Sequence, residues 1–278
     1  DFDLNPYFPY YANSDSGAGE GKTVGCIWEA QRVAPMLADA YDAFYPAMDD
    51  PQVVSFLSEK AQKYQLDNDK STPELIRENG ADGILREIYR SCQNANIFGN
   101  FGMHQKALAL AAVVHDDMPE SAEWIDWVFQ KGEYSYQKNT GGDVLNTLMT
   151  KVSRDGFGDE ASNEYNMIWV RDLLDVAEVL SGYTAYDQAD LFNNPKFVKM
   201  FYPWMEIAIC SRGYAQIGDT GFAAEQTEYN YSDFLLPAYL RLKDPKLAQM
   251  LYKTNRNSTE GLRGDIFTKD PEGVEKQI

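Results

Sequence analysis

Two polar clusters carry residues able to move a proton. The first is Gly99-Asn100-Phe101-Gly102-Met103-His104-Gln105, an amide and an imidazole four positions apart with a second amide beside them. On a helix that spacing would put Asn100 and His104 on one face. Such donors at a helix N-terminus suit a bound carboxylate, because the dipole and the free N–H groups there favour negative charge. The same residues also read as capping and turn chemistry, with His104 hydrogen-bonded at the edge of the core. The second cluster runs from Asp155-Gly156-Phe157-Gly158-Asp159-Glu160 through Ser162 and Glu164 to Tyr165, a turn leading into a helix that also carries Trp169 and Arg171. A free tyrosine hydroxyl titrates at about 10, so proton transfer at neutral pH asks for a partner. A neighbouring cation, Arg171 or Arg154, is expected to lower that value. The acids Asp159, Glu160 and Glu164 read as a solvated helix start, or as part of a carboxylate pair for glycoside hydrolysis.

Other patterns carry less. Ser16-Gly17-Ala18-Gly19-Glu20-Gly21-Lys22-Thr23 ends like a phosphate loop. No buried strand precedes it and Glu20 would repel phosphate, so a loop capping the first helix is expected instead. Asp67-Asn68-Asp69-Lys70-Ser71 lacks the glycine of a calcium loop and reads as a capping turn. The two histidines, His104 and His115, are too few for a His-rich zinc site, and His115, before Asp116-Asp117, reads as a solvated helix end. Neither a metal nor a cofactor is expected. Cys26, Cys92 and Cys210 are widely spaced, form no CxxC pair and read as buried free thiols, with a single bridge as the alternative.

The chain has 278 residues, with Lys+Arg 25 against Asp+Glu 43 and a net charge of −18, which argues against nucleic acid and anionic membrane surfaces as partners. A polyanionic ligand would need a local basic pocket in this acidic body. The 18 tyrosines, 14 phenylalanines and 5 tryptophans supply ring faces for sugars or for a helical core. No apolar run approaches the roughly 20 residues of a membrane span, so membrane insertion is not expected. The first residues lack the basic start of a signal peptide.

The elements that must position these residues read as helices. Residues 1–23 form an irregular lead-in. From Val24 to Phe44 apolar residues recur at three- and four-residue steps, with Pro35 expected to kink or split the run. Pro51 and Ser71-Thr72-Pro73-Glu74 start further helices, the second weakened at Gly80 and Gly83. Met103 to Val114 is a buried Ala/Leu helix, and Pro119-Glu120 opens another. Lys131 to Gly142 is a polar loop. Helices are expected over Asp143–Val152, Ser162–Leu180, Pro195–Cys210, Ser232–Leu242 and Pro245–Thr254, with an extended hint at Tyr214–Ile217. With nearly no alternating strand pattern, the fold class is all-α, and uneven helical hairpins suggest an incomplete (α/α) toroid over 24–260.

The two polar clusters, in this order and separation, resemble the active-site segments of the heparinase II/III-like polysaccharide lyases, and Gly218-Asp219 fits the end of that family's toroid. The resemblance covers roughly residues 24–255. It implies β-elimination on a uronic-acid glycan, an acidic polysaccharide or oligosaccharide, in the periplasm or outside the cell. By that resemblance Asn100 neutralises the sugar carboxylate, Tyr165 serves as acid, base or both, and His104 assists. Gln105, Glu160, Arg171, Asp219 and Gln31 are then expected to contact substrate. Phe101 departs from the pattern, since many members have histidine there. Residues 261–278 read as a tail or linker towards a C-terminal β-sandwich domain of the same protein, which in the family supplies a further histidine. A helical-barrel glycoside hydrolase using two of Asp159, Glu160, Glu164 and Asp219, or a glycan-binding protein without turnover, stands as the alternative.

Overall fold

The computed structural model describes residues 29–135, 138–185, 189–209, 213–214, 217–219 and 231–262. The phosphate-loop-like segment 16–23, Cys26 and Cys210 lie outside the described residues. Helix dominates those described, and strand is confined to two short hairpins, so the fold is all-α. The body expected over 24–260 divides into two compact units, one comprising Asp1–Leu145 with Asp175–Ala189 and the other Asn146–Leu174 with Asp190–Ile278.

In the first unit a π-turn, Glu29–Val33, leads into α1 (Ala34–Phe44). Pro35 sits in the first turn of α1, and Val33 before it stays in the helical region, so the run changes there from π to α without the expected break. α2 (Pro51–Tyr64) is capped by Asp50, which accepts from Gln52 N at 2.8 Å, and α3 (Pro73–Gly80) by Thr72, which accepts from Leu75 N. The helix does not break at Gly80 and Gly83. It passes through a π-segment, Ala81–Arg86, into α4 (Glu87–Gln93), and Gly80 lets it press on the Tyr41 ring, which a Cβ there would meet at 2.8 Å. Asn68 and Asp69 accept from the backbone N–H groups of Lys70 and Ser71, the capping turn expected for that stretch.

α5 (Met103–His115) is the spine of this unit. Ala107, Leu108, Ala109, Ala111 and Ala112 are fully buried, and their small size lets α1 and α6 (Glu120–Phe129) pack closely against it. The expected polar loop after α6 contains a small hairpin, β1 (Tyr134–Ser135) paired antiparallel with β2 (Lys138–Asn139). Its base is closed by glycines: a Cβ at Gly141 would lie 2.5 Å from the Gln130 carbonyl oxygen, and one at Gly142 2.4 Å from that of Val128.

The division between units falls within two helices, α7 (Val144–Lys151) and α8 (Asn163–Val179). The second unit continues with α9 (Pro195–Lys199), a 3-10 turn (Pro203–Met205), β3 (Ala208–Ile209) paired with β4 (Gly213–Tyr214), and the packed pair α10 (Ser232–Leu242) and α11 (Pro245–Thr254). The helix expected over 195–210 therefore stops at Lys199. Pro203 has no N–H to offer and its ring would clash with the carbonyl four residues back. An aromatic core centres on Trp204, whose ring meets Phe157 edge-on at 5.5 Å and Phe234 at 5.6 Å, and whose Nε1 donates to Met200 O at 2.9 Å.

Candidate functional site

In the second unit the 155–165 segment is shaped residue by residue to hold Tyr165. Gly156 turns the chain at φ +104°, with the Lys199 carbonyl so close that a Cβ would lie 2.3 Å from its oxygen. The Ser153 hydroxyl bonds Asp155 and the Phe157 carbonyl, closing that turn. Gly158 crosses the Trp169 indole, where a Cβ would meet the ring at 2.5 Å. Glu160 accepts from Trp169 Nε1 at 3.2 Å, and the Asn166 amide donates to the carbonyls of Glu160 and Ser162, both at 2.9 Å. Ser162 caps α8: its hydroxyl accepts from Tyr165 N at 3.4 Å and donates to Asp219 O at 3.1 Å, which ties the 217–219 strip to the helix start.

The product of these contacts is one pair. The half-exposed Tyr165 hydroxyl donates to Asp219 Oδ2 at 3.1 Å. That hydrogen bond, then the Asp219 charge, with smaller contributions from burial, Glu160 and Glu164, raises the phenol above its ordinary value. At neutral pH Tyr165 is therefore protonated and able to donate. The expected cation beside it is a correction: Arg171 faces Asp233 Oδ2 at 2.5 Å, and its guanidinium lies 5.6 Å from the centre of the Phe234 ring, so neither charge nor fork serves Tyr165. Asp219 was legible in the sequence as a candidate. Its pairing with Tyr165 was not, because 54 residues separate them. Ser162 is legible as a helix cap, whereas its bond to Asp219 O and the bonds of Asn166 and Trp169 to Glu160 are not.

In the first unit α5 begins at Met103, and Gly102, at φ 102°, breaks the chain before it. Asn100 and His104 are thus not one helical turn apart, which corrects the shared-face argument. Asn100 is half-buried in the turn ahead of α5, and its side-chain amide has no hydrogen-bond partner among the described residues. Gln105 is a second correction. It is 2% exposed, its Oε1 accepts from Gly102 N at 3.0 Å and its Nε2 donates to Gly142 O at 2.7 Å, so the amide braces the loop from inside and does not reach a sugar. Gln31 is half-buried in the π-turn before α1.

His104 is interior as well. Its ring stacks on Phe98 at 5.1 Å, Phe98 stacks on Tyr134 at 3.8 Å, and Asn139 Nδ2 lies 3.4 Å from Nε2. Nδ1 has no partner. Burial pushes its pKa down to about 4. The unfolded chain binds a proton at this residue below about 6.5, the folded one only near 4. Stability is therefore retained above that window and lost as pH falls through it, by roughly 3 kcal/mol in full. Urea titrations should show the wild-type chain losing more stability between neutral pH and pH near 4 than His104→Gln does. Parallel losses in the two chains would mean that His104 does not carry this term.

His115 is not the solvated helix end expected. Its side chain is 5% exposed, its ring stacks on Trp124 at 4.7 Å, and Nε2 lies 2.7 Å from Glu120 Oε2. His115, Asp117 and Glu120 bring ligand atoms within 4.8 Å of one another, the kind of group that can take a cation. The Glu120 carboxylate already faces Arg86 Nε at 2.9 Å as well as His115, so an incoming ion would meet a guanidinium. Cys92 is buried and free, and burial raises its thiol far above the ordinary range.

No protein-family model, curated protein or solved structure matches this chain. No helix among the described residues is long and apolar enough to cross a membrane.

Proposed function

We propose that the chain is the helical part of a polysaccharide lyase that cleaves a uronic-acid glycan by β-elimination, with Tyr165 as proton donor to the leaving glycosidic oxygen. One observation carries this reading: a half-exposed phenol held by a carboxylate, Asp219, at the end of a segment built to place it. In β-elimination the sugar carboxylate is neutralised, the neighbouring C–H loses its proton to a base, and the leaving oxygen takes one up. A phenol kept protonated by an adjacent carboxylate suits the last step. The resemblance gives the sugar carboxylate to Asn100, a residue of the other unit whose side-chain amide has no hydrogen-bond partner among the described residues. His104, buried in the first unit against Phe98 and Trp127 and neutral at neutral pH, is there a packing residue. The incomplete (α/α) toroid, a β-sandwich domain carrying a further histidine, and a periplasmic or extracellular setting belong to the same proposal.

The test is an absorbance assay for the unsaturated uronate over a panel of uronate polymers, run beside a reducing-end assay. Absorbance rising with new ends supports elimination. New ends without absorbance point to a hydrolase built on Asp219 and Glu160, and neither signal on any polymer removes the lyase reading.

A further inference from the structure

A concavity on the Asn146–Leu174/Asp190–Ile278 unit has a chemistry that the Tyr165–Asp219 pair does not use. Its volume is about 580 Å³, and none of its lining residues comes from 155–171 or 217–219. One wall is the outer face of α11. That helix is amphipathic: Leu247, Ala248, Met250 and Leu251 are buried, while Lys246, Gln249 and Lys253, at three- and four-residue steps, point outward along the cavity. Tyr202 and Met205 also line it.

The rings differ in how they are held. The Tyr202 hydroxyl donates to Asp244 Oδ2 at 2.7 Å, and Asp244 also caps α11 by accepting from Lys246 N at 2.9 Å. This locks the Tyr202 ring to the helix start. Tyr252, one turn from the end of α11, lies half-buried with no partner on its hydroxyl among the described residues. The charges are the less expected feature. Acids outnumber bases 43 to 25 in this chain, yet the ammonium groups of Lys246 and Lys253 and the Gln249 amide make no ion pair or hydrogen bond among the described residues. Among the described residues of the lining Glu206 is the one acid, so two ammonium groups stand there against one carboxylate in a chain of net charge −18.

These groups define a ligand: apolar faces for the tyrosine rings and methionines, a negative charge for the lysines, and hydroxyls for Gln249 and Glu206. We propose that this cavity is a second binding site, taking a short carboxylated oligosaccharide. The choice of a sugar rests on the elimination reading above, whereas the preference for an anion with a ring face rests on the cavity alone. Exposed lysines contribute modestly, so the affinity should be weak, with Kd on the order of 0.1–1 mM.

The full chain, with its methionine methyl groups isotopically labelled, would be titrated with trigalacturonate while the Met205 and Met250 resonances are followed by NMR. Maltotriose serves as the uncharged control and inorganic phosphate as the bare anion. Saturable shifts at both methionines, weakened about tenfold in Lys246→Gln/Lys253→Gln and in Tyr252→Ala, support the site; melting temperature reports that the variants are folded. No shift with millimolar trigalacturonate overturns the site, as does equal binding of maltotriose, equal binding of phosphate, or binding that is indifferent to the lysine pair. Lys60→Gln/Lys63→Gln, on α2, should leave the titration unchanged, and a loss there would turn the effect into one of overall charge. Elimination without methyl shifts removes this site and leaves the lyase reading standing. Shifts without elimination keep the site and count against the lyase.

Discussion

Tyr165→Phe is expected to cut elimination by roughly 10²–10⁴-fold, the usual worth of a positioned acid or base. The substitution removes one oxygen from a half-exposed side chain, so the fold should hardly notice: the lost hydrogen bond to Asp219 is worth at most about 1 kcal/mol. Activity and melting temperature should therefore part company, which separates a chemical role from a packing role. The pH profile separates acid from base. Because Asp219 raises the phenol above its ordinary value, a donor role keeps activity up to alkaline pH and loses it only as the raised value is passed. A base role would show activity climbing with pH instead. Asp219→Asn keeps an acceptor in place but removes the charge, so the alkaline limb should move to lower pH. Full activity in Tyr165→Phe would end the assignment, whatever the products are.

Gly156→Ala is expected to destabilise the unit that carries Tyr165 by about 4 kcal/mol, combining backbone strain with a steric conflict. At φ +104° an L side chain is strained even in open space. Here the space is closed too, since a Cβ would sit 2.3 Å from the Lys199 carbonyl oxygen, and backbone cannot swing aside as a side-chain tip can. The neighbouring bonds, Ser153 to Asp155 and to the Phe157 carbonyl, depend on the same turn. Denaturant unfolding followed by tryptophan fluorescence would measure the effect, with Gly182→Ala as comparison. Gly182 also has positive φ, but nothing lies within 4 Å of its added Cβ, so it reports backbone strain without the collision. Equal losses at the two positions would mean that the Lys199 contact does not matter.

Much of the local structure was written in short stretches of chain. Pro51, Thr72 before Pro73, and Asp244 before Pro245 mark helix starts, because a proline in the first turn and a capping oxygen act within a few residues. The Ala/Leu run of α5 announced a buried helix, since small side chains on every face leave nothing to solvate. The all-α class followed from such periodicities, each a property of one segment.

Where the folded positions of residues differ from those expected of the sequence, the cause lies in contacts between distant segments. Gln105 looked available for a ligand until Gly142, 37 residues on, took its amide. His115 looked solvated until Trp124 and Glu120 enclosed it. Arg171 looked like a partner for Tyr165, six residues before it, but Asp233 on α10 claimed its charge. Local patterning announces most of the helices and caps, though not the stop at Lys199, and sets a tyrosine, an amide and several acids in two polar clusters. Which of these groups pair, and that Asp219 meets Tyr165, follows from the folded backbone. Propensity and capping act over one turn of chain, whereas a hydrogen bond across 54 residues exists only once the folded backbone brings its two ends together.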